Sequence, residues 1–440
     1  MNSEGAAASA TEVTARSLSQ WLSWQESLHP KDIELGLDRC RRVAERMGLL
    51  PPSYTVITVG GTNGKGSTVA MLERIYRVAG LRVATYTSPH LLRYNERIRI
   101  DSRAVDDERI CQAFAAVEQG RETVPLTVFE FGTLAALNIF AEESLDIAIL
   151  EVGMGGRLDA VNLVDADIAV IATLDIDHVE WLGNTREEIA REKAGIMRRD
   201  HPAVCSDPRV PLSLVEAAES IGAPLELLGQ SFHFVDEGEA WTWWSGELLL
   251  EHLPKPALQG GYQLRNAAGV LKAVERLSAR HPITFAQLAT ALTTTTLSGR
   301  FQRVPGEVEF ILDVAHNAQA LEYFVATLLT LPTANRTHVI LGMLRTKDRA
   351  SAMQSLSKVV DCWHLATVTA RQGATSGELR QTWQQLEHHG RADEYPSIVE
   401  AYRGALAIAE PGDRVLVVGS FVTVGEVLHE LGVDGRVLVT

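Results

Sequence analysis

A β-branched run, Val56 to Val59, ends in a knot of glycines around one lysine, GGTNGKGS at residues 60–67, and an apolar helical pattern follows. Strand, glycine-rich turn, helix is the layout of a phosphate-binding loop. Gly61, Gly64 and Gly66 can take positive φ, so that backbone N–H groups converge on an anion. Lys65 adds a point charge for the outer phosphates, and Ser67 opens a helix whose N-terminus favours anions. The common G-x-x-x-x-G-K-[ST] spacing is not met, because Val59 stands where its first glycine would be and Gly66 where its hydroxyl would be. The alternative is a glycine-rich turn with no ligand. Three glycines, a lysine and a hydroxyl between strand and helix weigh against it.

Other reactive side chains fall at the ends of apolar runs. Glu151 closes the run from Asp146 to Leu150. A carboxylate at the C-terminal end of a parallel strand points to where α/β sheets bind ligands, so Glu151 is the best carboxylate for a magnesium ion. Ser88, after another strand, could add an oxygen, although Ser-Pro alone reads as a turn. The glycines after Glu151 do not complete G-x-G-x-x-G, since Leu158 occupies the last place. Asp175, Asp177 and His178 follow the next strand and suit metal or phosphate chemistry, or merely a polar loop. Lys193 lies on a short helix, where a lysine is ordinarily solvated. Asp313, His316 and Asn317 repeat the strand-end scheme late in the chain. Arg300, in LSGRFQ, would couple domain closure to chemistry if it meets phosphate, and is otherwise a surface linker arginine.

Strand-like and helix-like runs alternate along most of the 440 residues, which predicts parallel sheets with crossover helices in more than one domain. Residues 225–253 differ: short antiparallel strands with turns at Glu237–Gly238 and Ser245–Gly246, where Trp241, Trp243 and Trp244 read as a packed ribbon rather than a ligand-stacking patch. The threonine run, glycines and proline of residues 293–306 mark the main boundary. The expected division is a disordered lead at 1–17, a nucleotide-binding domain at 18–298, a linker at 299–306 and a smaller Rossmann-like α/β domain at 307–440. A net charge of −15 argues against nucleic acid or anionic membrane as the main partner. Four scattered cysteines without a CxxC pair, no secretory leader and no long apolar stretch predict a cytoplasmic protein. Nothing suggests assembly, so a monomer is expected.

Eight motifs occur in order: GTNGKGS, TSPHLLRYNERI, FEFGTLAAL, LEVGMGGRLDAVN, DHVEWLG, REKAGI, SGRFQ and DVAHN. From about residue 20 to the C-terminus the chain resembles the folylpolyglutamate synthases, relatives of the Mur-type amide ligases, and most of all their bacterial bifunctional branch with dihydrofolate synthase activity. The resemblance implies a phosphate-loop Mur-ligase-type central domain, with a parallel sheet and a small antiparallel subsheet, followed by the Rossmann-like glutamate ligase domain. It implies that the short loop, Thr62, Asn63, Gly64, Lys65, Gly66 and Ser67, binds the phosphates of ATP. Asn266, Arg300 and Asp313 match the rest of the nucleotide-binding set. Ser67, Ser88, Glu151 and His178 match positions that hold magnesium. Lys193 matches a lysine that is carbamylated in relatives, which gives it a role that residue logic alone does not. His316 is placed near the transferred phosphate, so Lys65, Lys193 and His316 form the implied catalytic set. On the pterin side, Glu34, Leu35 and Gly36, Thr127, Phe129 and Glu130, and Leu158, Asp159 and Ala160 match a dihydropteroate pocket. The segment LQGGYQLRNAAG before and around Asn266 is variable among relatives, so the adenine side is less defined than the phosphate side.

The implied reaction is ATP-driven amide formation from L-glutamate and either dihydropteroate or a reduced folate, through an acyl phosphate, with release of ADP and phosphate. Two other readings compete with it. One is a Mur-type ligase extending a UDP-linked peptide, against which the pterin-side motifs speak. The other is a non-enzymatic nucleotide switch, which would bind nucleotide tightly and form no amide.

Overall fold

The computed structural model describes residues 16–29, 34–386 and 390–433. Eight strands form the larger sheet: β1 (Thr55–Gly60), β2 (Val83–Tyr86), β3 (Ile98–Ile100), β4 (Arg103–Ala104), β5 (Ile147–Glu151), β6 (Ile168–Ile171), β7 (Ala203–Cys205) and β8 (Leu225–Leu227). Their order is β4-β3-β2-β5-β1-β6-β7-β8. From β2 to β8 neighbouring strands are parallel, and β3 and β4 add an antiparallel edge. The central strands are buried on both faces, which is why they read as unbroken apolar runs. Val56, Ala84 and Leu150 enter one core with Phe114 and Phe131, while Ile57, Val83 and Ile149 enter the other with Met71 and Leu264.

A three-stranded antiparallel ribbon follows: β9 (His233–Asp236), β10 (Ala240–Ser245) and β11 (Leu248–Pro254). Trp241 and Trp243 are fully buried, and their indole N–H groups donate to Pro254 O (3.0 Å) and Ala268 O (3.1 Å). Trp244 stacks on His233 at 5.1 Å. The tryptophans are therefore packing residues, as the sequence suggested.

The second sheet holds β12 (Gln302–Val304), β13 (Glu309–Leu312), β14 (Thr337–Leu341), β15 (Cys362–Ala366), β16 (Arg391–Tyr395) and β17 (Arg414–Val418), in the order β12-β13-β17-β14-β15-β16. All neighbours are parallel except β12, which pairs antiparallel with β13. The expected linker at 299–306 thus contains an edge strand: Gln302 pairs with Leu312 and Val304 with Phe310. The lead expected to be disordered over 1–17 overlaps an ordered helix cap. Ser17 caps the helix Leu18–Leu28 through a reciprocal capping box with Gln20; residues 1–15 lie outside the described residues. Among the described residues all four cysteines are free, and no helix is long and apolar enough to cross a membrane.

Candidate active site

The phosphate loop is built as its residue types require. Gly61 has φ 138° and Gly64 φ 92°. A side chain at either would also collide, with Ala172 at 3.0 Å in one case and Asn266 Oδ1 at 2.7 Å in the other. Gly64 caps the helix Lys65–Val78, which starts two residues before Ser67 and so turns the Lys65–Ser67 amides toward the loop. Thr62 and Asn63 N–H both point at Thr173 O, and the Thr62 hydroxyl donates to Asp175 O at 2.9 Å, which moors the loop to the end of β6.

Lys65 is half-buried. Its ammonium donates to Gly61 O (3.0 Å) and Thr62 O (3.1 Å). Burial lowers its pKa, and Glu151 and Asp177 oppose that shift. Lys193, on the helix Arg186–Ala194, is fully buried and donates to the same Gly61 carbonyl at 2.8 Å. Burial first, and then the neighbouring Lys65 cation, push its amine down to about 7. The cleft therefore holds two desolvated amines on one carbonyl, of which Lys193 is the one ready to be neutral at ordinary pH.

Glu151 is buried, and one of its oxygens accepts the Ser88 N–H at 3.2 Å. Burial raises its pKa, with Lys65 the chief opposing charge. Ser67 Oγ accepts from Gln263 at 3.2 Å, and Gln263 in turn accepts from Asn266 at 2.9 Å. Asn266 is thereby fixed against Gly64, inside the cleft. His178 starts the short helix Val179–Leu182 at φ 52°. The residue stands exposed at the edge of the cleft, where partial desolvation and then the Lys347 cation hold its ring below the usual imidazole range. Among the described residues no three His, Cys, Asp or Glu side chains come close enough to hold a metal alone. Ser67, Ser88, Glu151 and His178 line one cleft, which Asp177 and Asp313 line as well.

The second domain closes the cleft. Asp313, at the end of β13, is buried and accepts the N–H groups of Phe301 and Ala315, each at 2.8 Å. Burial raises its pKa, and Arg300 opposes that. Phe301 is held at φ 43°, an unusual position for a side-chain-bearing residue, beside Arg300. The Arg300 guanidinium lies over the Phe421 ring at 5.3 Å and near Gly66. His316 donates from Nδ1 to Val314 O (2.8 Å), so that Nε2 faces Asp177 at 3.6 Å.

Three contacts across the cleft involve residues that sequence reasoning undervalued or missed. Asp177 binds Lys347 at 2.5 Å. Burial alone would raise the Asp177 pKa, but His316 and Lys347 hold it well below the carboxylate range. Asn63 and Asn317 exchange amide hydrogen bonds at 3.0 and 3.2 Å, and Asn63 also donates to Gln319 at 2.8 Å. Tyr262 stacks on Tyr323 at 5.2 Å. The only sequence signal for Lys347 was its place in the loop after β14, at the same end of its sheet as Asp313.

The Asn63–Asn317 exchange ties the phosphate loop itself to the second domain. Asn317→Asp keeps the oxygen that caps the helix at Ala320 and loses the amide that donates to Asn63. Its melting temperature should stay near that of the unsubstituted protein while kcat for nucleotide turnover falls about tenfold, the value of one polar contact made in the closed state. Unchanged kcat would mean that closure does not use this pair.

The pterin-side residues gather on the larger domain. Gly36 N–H meets Leu158 O at 3.4 Å. Thr127 and Glu130 form a buried capping box at the helix Val128–Ala141, and the other Glu130 oxygen binds Arg39 at 3.1 Å. Arg39, three residues after Gly36 and not among the expected site residues, also reaches the Glu34 carbonyl at 2.9 Å. Phe129 covers Gly153. Asp159 accepts from Met154 (2.8 Å) and Val161 (3.0 Å), and burial pushes its carboxyl up to about 6. Thr127, Glu130 and Asp159 spend their side chains on building this wall. Leu35 and Ala160 stand in the same two segments.

A phosphate loop that faces a second α/β domain across an arginine-bearing hinge defines an ATP-dependent ligase of the Mur class. Family comparison agrees: residues 59–206 match the Mur ligase middle domain, and residues 299–421 match the glutamate ligase domain of Mur ligases. The Escherichia coli (strain K12) dihydrofolate synthase/folylpolyglutamate synthase is 40% identical over 419 residues, covering 95% of this chain and 96% of that one. The Haemophilus influenzae protein of the same name is 41% identical over 427 residues, covering 93% and 96%. The structure of E. coli FolC with DHPP and ADP superposes with a TM-score of 0.90 at 39% identity, covering 96% of this chain and 99% of that one. A bifunctional folylpolyglutamate synthase/dihydrofolate synthase with Mn, AMPPNP and L-glutamate bound gives a TM-score of 0.87 at 40% identity, covering 95% and 99%. The chain belongs to the dihydrofolate synthase/folylpolyglutamate synthase family.

Proposed function

We propose that the chain joins L-glutamate to dihydropteroate, forming dihydrofolate, and to reduced folates, forming folylpolyglutamates, at the expense of ATP. The observation that carries this reading is the meeting of Lys65, Glu151, Arg300 and His316 from two domains in one cleft beside the pterin-side wall. A carboxylate is a poor acyl donor. Its oxygen attacks the γ-phosphorus of ATP, the bond to the ADP oxygen breaks, and an acyl phosphate forms. The glutamate amine then attacks the acyl carbon, and phosphate leaves. Lys65 and Arg300 offset the charge on the moving phosphoryl group, and the Lys65–Ser67 amides orient the phosphates that stay behind. His316, held in one tautomer by Val314 O, presents Nε2 to the cleft.

Ser67, Ser88 and Glu151 supply the hard oxygens that Mg²⁺ takes alongside water and phosphate, with His178 as a neutral nitrogen ligand, so this set fits the ion. Mg²⁺ bound there would supply charge neutralisation between phosphate oxygens. Lys193 as a carbamate would add a carboxylate-like oxygen donor at Gly61. Closure of the second domain excludes water, which would otherwise hydrolyse the acyl phosphate.

The test is ADP release with ATP, Mg²⁺ and L-glutamate, once with dihydropteroate and once with tetrahydrofolate, with products identified by mass. Turnover with both is expected. Turnover with tetrahydrofolate alone would restrict the enzyme to polyglutamylation. Turnover with neither would overturn the reading.

A further inference from the structure

The reaction proposed above frees inorganic phosphate in the cleft, beside Lys65, Glu151 and Arg300. A second cavity, of about 440 Å³, opens at that point. It shares Gly66, Ser88, Glu151 and Arg300 with the catalytic cleft. From there it runs along the helix Lys65–Val78, past Val69 and Ala70 to Glu73 and Arg74. Those positions recur at helical spacing, so the passage follows one helix face for about 10 Å. It reaches the surface at Ser102 and Ala104, both exposed, on the antiparallel edge of the larger sheet. Residues 294–298 roof it, together with Phe421 and Leu428 of the helix Phe421–Glu430. The second domain thus supplies part of the roof, and the passage is complete only while the domains stand together.

The wall is polar where a packing gap would be apolar. Thr85 and Glu73 are 1% and 3% exposed and both line the passage. Among the described residues the Thr85 hydroxyl and one Glu73 oxygen have no hydrogen-bond partner. Buried polar atoms are ordinarily paired, so two orphans facing one passage point to something that enters it. The other Glu73 oxygen pairs with Arg99 at 2.8 Å. Arg74 donates to Thr294 Oγ1 at 2.8 Å, at the rim. Glu96 spends its oxygens on the N–H groups of Leu91 and Leu92, each at 2.8 Å, and Glu151 is the carboxylate that a metal would claim. What remains to meet an occupant is hydroxyls, the Arg74 and Arg99 guanidiniums, and a Glu73 carboxyl whose pKa burial raises. That set is richer in donors than in fixed negative charge, which suits an oxyanion.

We infer that this passage is the exit for inorganic phosphate, which leaves along the helix Lys65–Val78 before the domains part, with the Thr85 hydroxyl as a contact on the way. This rests on the ligase reading above. Single-turnover kinetics with ATP, Mg²⁺, L-glutamate and tetrahydrofolate test it in the unsubstituted protein and in Ala70→Phe, which puts a ring into the passage. Rapid quench follows ADP formation, and a fluorescent phosphate reporter follows phosphate release. In Ala70→Phe phosphate release should slow about tenfold, a barrier increment of about 1.4 kcal/mol, while ADP formation keeps its rate. Release that still keeps pace with ADP formation would overturn the exit, and so would equal slowing of both steps. Thr85→Val, close in shape and without the hydroxyl, gives a second reading that does not depend on Ala70→Phe folding. Titration of the ADP-bound protein with inorganic phosphate should show Kd rising about fivefold in Thr85→Val, the loss of one hydrogen bond. An unchanged Kd would leave the passage to water and overturn the proposal. If the unsubstituted protein turns over neither acceptor, the ligase reading fails, and the phosphate titration still decides whether the passage takes the anion.

Discussion

Lys65→Met should lower kcat for ADP release by about 10²–10³-fold, the cost of removing one preorganised charge donor from a phosphoryl-transfer site. Methionine fills nearly the same volume, so the loop should keep its shape. The Lys65 ammonium is partly desolvated, shares the Gly61 carbonyl with Lys193 and draws its opposing charge from Glu151 and Asp177. Removing it takes away a half-buried, partly desolvated cation that the empty loop holds at a cost, so thermal stability without nucleotide should not fall. Steady-state ADP release and a melting curve on the same preparation check both halves. Activity retained within tenfold would show that the γ-phosphate charge is met elsewhere, with Arg300 the first residue to examine.

Lys193→Met should also lower kcat, by at least about 10²-fold if the side chain acts as a carbamate that positions phosphate or metal. It carries a second expectation, on stability. The Lys193 amine sits at about 7 in the folded protein, against about 10.4 in an unfolded chain. Between those values the unfolded state holds a proton that the folded state lacks, so stability rises with pH across the window. Below about 7 both states are protonated, and the burial penalty is present in full. The contribution over the whole window is on the order of 5 kcal/mol. Denaturant unfolding at intervals from pH 6.5 to 9.5 in CO₂-depleted buffer should show a slope that Lys193→Met flattens. Adding bicarbonate should raise both activity and stability of the unsubstituted protein, with a mass increment of one CO₂ on the intact chain. Identical slopes for the two proteins would mean that the amine is not desolvated in solution; full activity without CO₂ would remove the carbamate from the mechanism.

Which parts of this site could be read in advance follows from which forces shaped them. Buried parallel strands are apolar on both faces, so β1, β5, β13 and β17 stand out as runs, and the polar residue that ends each one, such as Glu151 or Asp313, is visible by contrast. The phosphate loop was legible because its geometry tolerates few residue types. Edge strands carry no such signature. β16 reads RADEY and pairs on one side only, and β12 is three residues long, so one was passed over and the other taken for a linker. Partners chosen by tertiary approach were invisible as pairs: Asp177 and Lys347 are 170 residues apart, and Asn63 and Asn317 are 254 apart. Lys193 shows the same limit from the other side. Nothing in REKAGIM distinguishes a solvated lysine from one buried against Gly61; the resemblance to the family did.

The short strand β12 has a consequence for fuel economy. Because Gln302–Val304 is stitched into the second sheet immediately after Arg300, and Asp313 grips the Phe301 N–H, the hinge arginine is tied to the second domain, and its reach to the phosphate loop depends on how the two domains stand. A molecule standing open would hold ATP against Lys65 with one of its two cations missing. ATP hydrolysis without an acceptor is then expected to be slow, because the arginine and the shield against water would arrive together.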